Sequence, residues 1–309
     1  MLIADSHCDS ILKVAQGKCG LVNQYNFSQK QPQLQFVALF TGRPSDTPES
    51  AWSDLVRYSD SFSASLTREC ERISQVRTYA DIEQALAKGK HAALLSLESA
   101  TALDGSCERL QKLWELGVRV VGLTWLSNSL AKSNRVLDDG EIDTGLSALG
   151  KELVCFGNRL GIIWDVSHAS DKTFWDLAEL SKKPIIASHS NFRSVCPHSR
   201  NLTDSMARHI ISSGGIIGLN LCPPFVHSEE QKRTVDSLFL HIDHCLELGG
   251  ESTLGFGCDI DGIASLPSPL SSERSIHDQL IELMQKHYPE RTVEKIAGEN
   301  YMSFLKKWL

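Results

Sequence analysis

The sequence lacks the features that would tie it to a membrane, to nucleic acid or to an oxidising compartment. No stretch approaches the roughly 20 apolar residues of a spanning helix, so no membrane insertion is expected. No segment is a basic block, and the formal charge of −7 argues against nucleic acid as a main partner. Small polar substrates stay open. The N-terminus shows no basic region ahead of an apolar one, so no secretory leader is expected. The nine cysteines are odd in number, scattered and without CxxC spacing. That disfavours a disulfide framework or a zinc ribbon and suggests reduced thiols in a cytoplasmic protein. Internal repeats, low-complexity tracts and Gly/Ser linkers are also missing, so one domain over residues 1–309 is expected.

What the chain does have is a recurring unit. Hydrophobic residues make up 41% of the sequence, enough for a large core. Short apolar runs fall at 2–6, 35–41, 91–97, 118–125, 161–167, 184–188, 215–220 and 253–258. Several are near-continuous in Val, Ile and Leu, as parallel strands buried on both faces require. Helical patterns lie between them at 50–75, 78–88, 107–116, 146–160, from 171, at 202–213 and at 229–248, and another closes the chain at 293–309. Gly117 and Gly161 stand where C-caps belong, and Ser170 where an N-cap belongs. About eight strand-then-helix units predict an α/β fold of the TIM type, a (β/α)8 barrel, with a doubly wound sheet as the rival.

The polar residues favour the barrel, because they follow the strands. His7 and Asp9 follow the first run, Glu98 the third, His168 the fifth, His189 the sixth and Asp259 the eighth, while Trp125 ends the fourth. In a barrel these ends share one rim, where active sites are built. Alternation along the first strand would send Asp5, His7 and Asp9 to one face. Imidazole and carboxylate side by side can grip a divalent metal. A lone histidine past a buried strand is usually a hydrogen-bonded structural residue. Two in successive units, after a His-x-Asp start, point to ligands. Glu98 at the end of a buried run would be costly unless paired or metal-bound, and a carboxylate can bridge two ions. Asp259 could move a proton. Arg200, in a loop, reads by itself as a solvated surface residue.

The resemblance to a known family rests on these stretches together. They are Asp5-Ser6-His7-Cys8-Asp9, Leu97-Glu98-Ser99 and Gly117-Val118-Arg119 leading into Leu123-Thr124. The match continues from Leu146 through Asn158-Arg159-Leu160-Gly161 to Asp165-Val166-Ser167-His168-Ala169-Ser170-Asp171. It then takes in Ser188-His189-Ser190, Arg200-Asn201 and Gly257-Cys258-Asp259-Ile260-Asp261-Gly262. The chain resembles the renal (membrane) dipeptidase family of the metal-dependent amidohydrolase superfamily, nearly end to end. The resemblance implies a hydrolase of dipeptides with two Zn2+ ions per chain, open to substrates with a C-terminal D-residue. It places His7 and Asp9 on one ion, His168 and His189 on the other, and Glu98 between them. Zinc lowers the pKa of water, so hydroxide is available to attack near neutral pH. Asp259 then matches the family's proton-handling aspartate, and Arg200 the arginine that receives the substrate carboxylate, which suits a forked guanidinium.

One position departs from the pattern. Where the family has a histidine after Leu-Thr of the fourth strand, this chain has Trp125. Indole donates a hydrogen bond but carries no charge. Trp125 is therefore expected to alter substrate contact, with Asn128 or a backbone amide as the substitute donor. Two rivals remain at this point: a same-superfamily hydrolase of another small amide or lactam, and an inert relative serving as a binding protein. Relatives are often dimeric, so a homodimer is open, although no surface feature of the sequence argues for it.

Overall fold

The computed structural model describes residues 1–309. Its strands are β1 (Ile3–Asp5), β2 (Gln33–Phe40), β3 (Ile73–Gln75), β4 (His91–Glu98), β5 (Val118–Gly122), β6 (Ile163–Asp165), β7 (Ile217–Leu219) and β8 (Leu254–Phe256). All pairings are parallel, in the order β6-β5-β4-β2-β1-β8-β7. The ring closes through the segment at 186–187, which bridges Asp165 to Ile186 on one side and Ala187 to Ile217 on the other. Seven strands and this bridging segment make the eight staves of the (β/α)8 barrel. β3, the remaining strand, lies outside the ring, paired only to the start of β4.

Alternation along the staves sorts side chains into two cores. Leu34 and Phe36, Ala92 and Leu94, Val120, Ile163 and Ile186 meet in one cluster with Tyr301 and Phe304. Residues from that many staves can meet only inside the ring, so the helix Asn300–Trp308 closes the barrel from below. Val37, Leu39, Ala93, Leu95, Val121 and Trp164 belong to the larger cluster under the helical layer. Near the top, Gly218 and Gly257 lie so close to the carbonyl of Ser188 that a Cβ on either would collide with it. Their bareness lets the 188–189 segment reach the rim.

The helices begin where a hydroxyl can cap them. Thr47, Thr78, Ser106, Ser147, Ser170, Thr203, Thr234 and Ser275 each accept from the amide three residues on. Gly117, Gly161 and Gly214 end their helices in the left-handed region. The helix expected at 50–75 stops at Arg68. Glu69 turns there to accept from the amides of Leu21 and Val22, and the next residues become β3. The helix expected at 229–248 starts only at Val235.

His241 shows what the helical layer costs to protonate. Its Nδ1 accepts from the Phe192 amide at 3.2 Å and its Nε2 donates to the Val226 carbonyl at 3.0 Å, in a wholly buried place. Burial holds its pKa down to about 4. The unfolded chain therefore binds the proton first, so stability is complete above about pH 6.5 and falls as pH drops toward 4. This one group accounts for a loss of about 3 kcal/mol over that window. Urea unfolding at pH 7 and pH 4.5 measures it, and a His241→Asn protein is expected to show a flatter profile. An equal slope in both proteins would assign the acid sensitivity elsewhere.

Candidate metal centre

The C-terminal ends of the staves bring the expected residues into one place. β1 ends at Asp5, and the chain turns inward through His7 and Asp9. Glu98 is the last residue of β4, and Ser99 after it is left-handed, with φ 66°. His168 follows β6, His189 follows the bridging segment, and Asp259 follows β8 with φ 58°. Non-glycine residues in that region are uncommon and gather at functional sites.

Glu98 stands at the centre. Its Oε2 lies 3.4 Å from His7 Nε2, and its Oε1 lies 2.9 Å from His168 Nε2 and 3.8 Å from His189 Nε2. His7 Nε2 is also 3.4 Å from Asp9 Oδ2 and 3.9 Å from Asp259 Oδ1. One carboxylate thus turns one oxygen to the His7–Asp9 side and the other to the His168–His189 pair. Within this cluster two sets of ligand atoms lie close enough to share an ion, His7 with Glu98 and His189, and His7 with Asp9 and Asp259. His7 belongs to both.

Three observations show that this cluster suits cations. His7 Nε2 and Asp9 Oδ1 are buried with no hydrogen-bond partner. Glu98, Asp9 and Asp259 crowd three carboxylates into one desolvated place. Burial and then the charge of Asp9 push Glu98 up to about 7, and burial raises Asp259. His168 and His189 go the other way: burial holds both well below the ordinary histidine range, so they present neutral rings. Neutral imidazole is the form that binds metal.

The tautomer of His189 follows from its neighbours. Asp165 accepts from the hydroxyls of both Ser167 and Ser188. Ser188 has then given its only proton, so at 2.8 Å it must accept from His189 Nδ1. The lone pair of Nε2 is left pointing at Glu98 and His168. A relay of this kind fixes a ligand's orientation. The sequence marks Asp165 and Ser188 only as polar residues alternating at a strand end.

Around the cluster lies a cavity of about 530 Å3, lined by Asp9, Glu98, His168, Arg200 and Asp259 among others. Asn220 donates to Asp259 Oδ2 at 3.1 Å and so orients it. Arg200 is buried, not solvated as its loop position suggested. It donates to the carbonyls of Ser167 and His189 and lies 3.4 Å from His168 Nε2, so it ties the two histidine loops together while facing the cavity. Trp125 lines the wall, edge-on to Phe40.

Two expectations need correction. Asp5 does not share a face with His7 and Asp9. The strand ends at Asp5, whose carboxylate is taken by His277 Nε2 at 2.6 Å and by the amides of His7 and Cys258. Asn128 does not reach the cavity. Its amide donates to the Leu123 carbonyl, and its oxygen accepts from Leu130 and Ala131, so it holds a turn and leaves nothing for substrate.

Residues 1–308 match the family described as membrane dipeptidase, peptidase family M19. The chain belongs to this family. It is therefore a metal-dependent hydrolase acting on peptide bonds. An uncharacterized protein from the pqqA 5' region of Klebsiella pneumoniae is 32% identical over 74% of this chain and 86% of its own length. An uncharacterized dipeptidase of Schizosaccharomyces pombe is 29% identical over 98% of this chain and 72% of its own length. Among solved structures, a metallopeptidase from Rhodobacter sphaeroides, bound to a phosphinate mimic of the dipeptide L-Ala-D-Ala, superposes with a TM-score of 0.88. It is 23% identical, and the match covers 100% of this chain and 99% of that one, which bears out the barrel. No helix of the chain is long and apolar enough to cross a membrane.

Proposed function

We propose that the chain hydrolyses dipeptides with two zinc ions bound at the rim, one by His7 and Asp9 and one by His168 and His189, with Glu98 shared. The observation that carries this reading is the split of the Glu98 carboxylate, Oε2 toward His7 and Oε1 toward His168. When bound, two such ions polarise a carbonyl and bring the pKa of water near neutrality. The chain's own residues do the rest. Asp259, half-buried and oriented by Asn220, is the group that accepts a proton and returns it to the leaving amine. Arg200 presents one fixed positive charge for the substrate's terminal carboxylate, while its carbonyl partners hold both histidine loops. Phe40 and Trp125 shape the wall beside them and exclude water.

Other findings support parts of this reading. The L-Ala-D-Ala mimic in the Rhodobacter sphaeroides relative supports including substrates with a C-terminal D-residue. The nine cysteines, all unpaired, support a reducing, cytoplasmic setting. Trp125 favours a second reading, hydrolysis of another small amide or lactam, because an uncharged indole stands where the family carries histidine.

Purified protein is expected to carry two zinc equivalents by elemental analysis. Dialysis against a chelator is expected to abolish turnover, and zinc to restore it. A panel of L-L and L-D dipeptides, N-acyl amino acids and a β-lactam separates the two readings. Turnover confined to the last two classes would reject the dipeptidase, and protein that takes up no zinc would reject both.

A further inference from the structure

The cavity holds a cation that the proposed chemistry leaves unused. Arg135 begins the short helix Arg135–Asp139 and lines the same cavity as Arg200 and His168. Its side chain is exposed, and its guanidinium carbon lies 6.0 Å from the centre of the Trp125 ring. That distance allows the indole face to support it. It pairs with no carboxylate of the chain. Asp138, the nearest in sequence along the cavity wall, accepts instead from the Ser199 hydroxyl at 2.7 Å. Asp261 is taken by Lys13, Ser10 and Tyr25. Asp9, Glu98 and Asp259 belong to the cluster around His7.

Two guanidinium groups therefore border the His168 side of the cavity, and they differ in kind. Arg200 is buried and fixed by two carbonyls. Arg135 is exposed and keeps all its donors. A dipeptide has a single terminal carboxylate, which Arg200 suffices to receive. A second cation lining the same cavity, with its charge, like that of Arg200, acting on His168, has room for a second anion of the substrate.

We propose that Arg135 is a specificity-determining residue that receives an acidic side chain, so that the preferred substrates are dipeptides ending in aspartate or glutamate. This rests on the dipeptidase reading of the same cavity. Trp125 then has a positive role, as the shelf that holds Arg135 toward the substrate.

The test compares kcat/KM for Ala-Glu, its uncharged isostere Ala-Gln and Ala-Leu in the zinc-loaded enzyme. A hydrogen bond to a charged group implies a preference for Ala-Glu over Ala-Gln of about 10–100-fold, carried mainly by KM. Arg135→Gln is expected to lower Ala-Glu turnover far more than that of the other two, and Arg135→Lys to keep part of the preference. Added salt should weaken it, since the residue is exposed. Equal rates for Ala-Glu and Ala-Gln in the unaltered enzyme would overturn the proposal. So would an Arg135→Gln protein impaired equally on all three, which would place Arg135 on the terminal carboxylate. Cleavage of none of the three would be a failure of the dipeptidase reading instead. In that case calorimetric titration of the same peptides decides: tighter binding of Ala-Glu that is lost in Arg135→Gln upholds the recognition, and equal binding overturns it.

Discussion

Asp259→Asn is expected to lower kcat by about 10²–10⁴-fold, the usual range for removing a general acid-base group, while zinc content stays near that of the unaltered protein. The pairing of the two readouts matters. Asp259 Oδ1 lies 3.9 Å from His7 Nε2, and the residue also falls within a possible ligand set with His7 and Asp9. A proton carrier and a metal ligand would both lose activity on substitution, but only a ligand would also lose metal. Asparagine keeps the shape, and one of its atoms can still meet the Asn220 amide that now holds Oδ2. The left-handed backbone at this residue, φ 58°, is also one that asparagine tolerates well. Folding is therefore expected to survive, and kinetics with elemental analysis on one preparation gives the answer. Full turnover in the variant would end the proton-carrier assignment, and loss of one zinc equivalent would make Asp259 a ligand.

The parts of this site that were legible in the sequence share a physical property. His7, Glu98, His168, His189 and Asp259 each stand just past a run whose apolar continuity marks a buried strand. In a barrel every such end opens on the same rim. Composition could not show that Arg200 is buried, because its loop is pulled inward by the Ser167 and His189 carbonyls, which come from two other segments. Asp5 departs from the sequence pattern for a related reason. Alternation holds only while the strand lasts, and here it stops at Asp5, where His277 from 272 residues away claims the carboxylate. Asn220 and the Asp165–Ser188 relay depend on contacts between neighbouring staves, which no single run displays, and Arg135 on the fold of the loop that carries Trp125. β3 was hidden inside a helical pattern because Glu69 leaves the helix to cap a loop at 21–22. Asn128 looked free in sequence and is consumed by its own turn.

Glu98→Gln is expected to have the other large effect, and to move activity and metal-free stability in opposite directions. Glutamine keeps the volume but replaces one of the two carboxylate oxygens, which face His7 and His168, with an amide nitrogen that cannot serve as a ligand. Zinc content is expected to fall to one equivalent or less, and kcat/KM by about 10³-fold or more, as losing several kcal/mol of transition-state stabilisation requires. The stability effect follows from the crowding of Glu98 with Asp9 and Asp259. Burial and the Asp9 charge hold the Glu98 carboxyl up to about 7, above its ordinary 4.5. The folded state then binds the proton more tightly than the unfolded chain, so stability is full below pH 4.5 and declines as pH rises through 7. In chelator-treated protein at pH 8 the ionised Glu98 costs on the order of 3 kcal/mol, and the neutral glutamine does not carry that cost. The metal-free variant should thus unfold at higher denaturant than the metal-free parent at pH 8, and at a similar concentration near pH 4.5. With zinc present the order should reverse, because the ions bind the folded parent and stabilise it by mass action. Should the metal-free variant be the weaker protein at pH 8, the three carboxylates would not be in conflict. The case for Glu98 as the carboxylate shared between two cations would then lose its energetic basis.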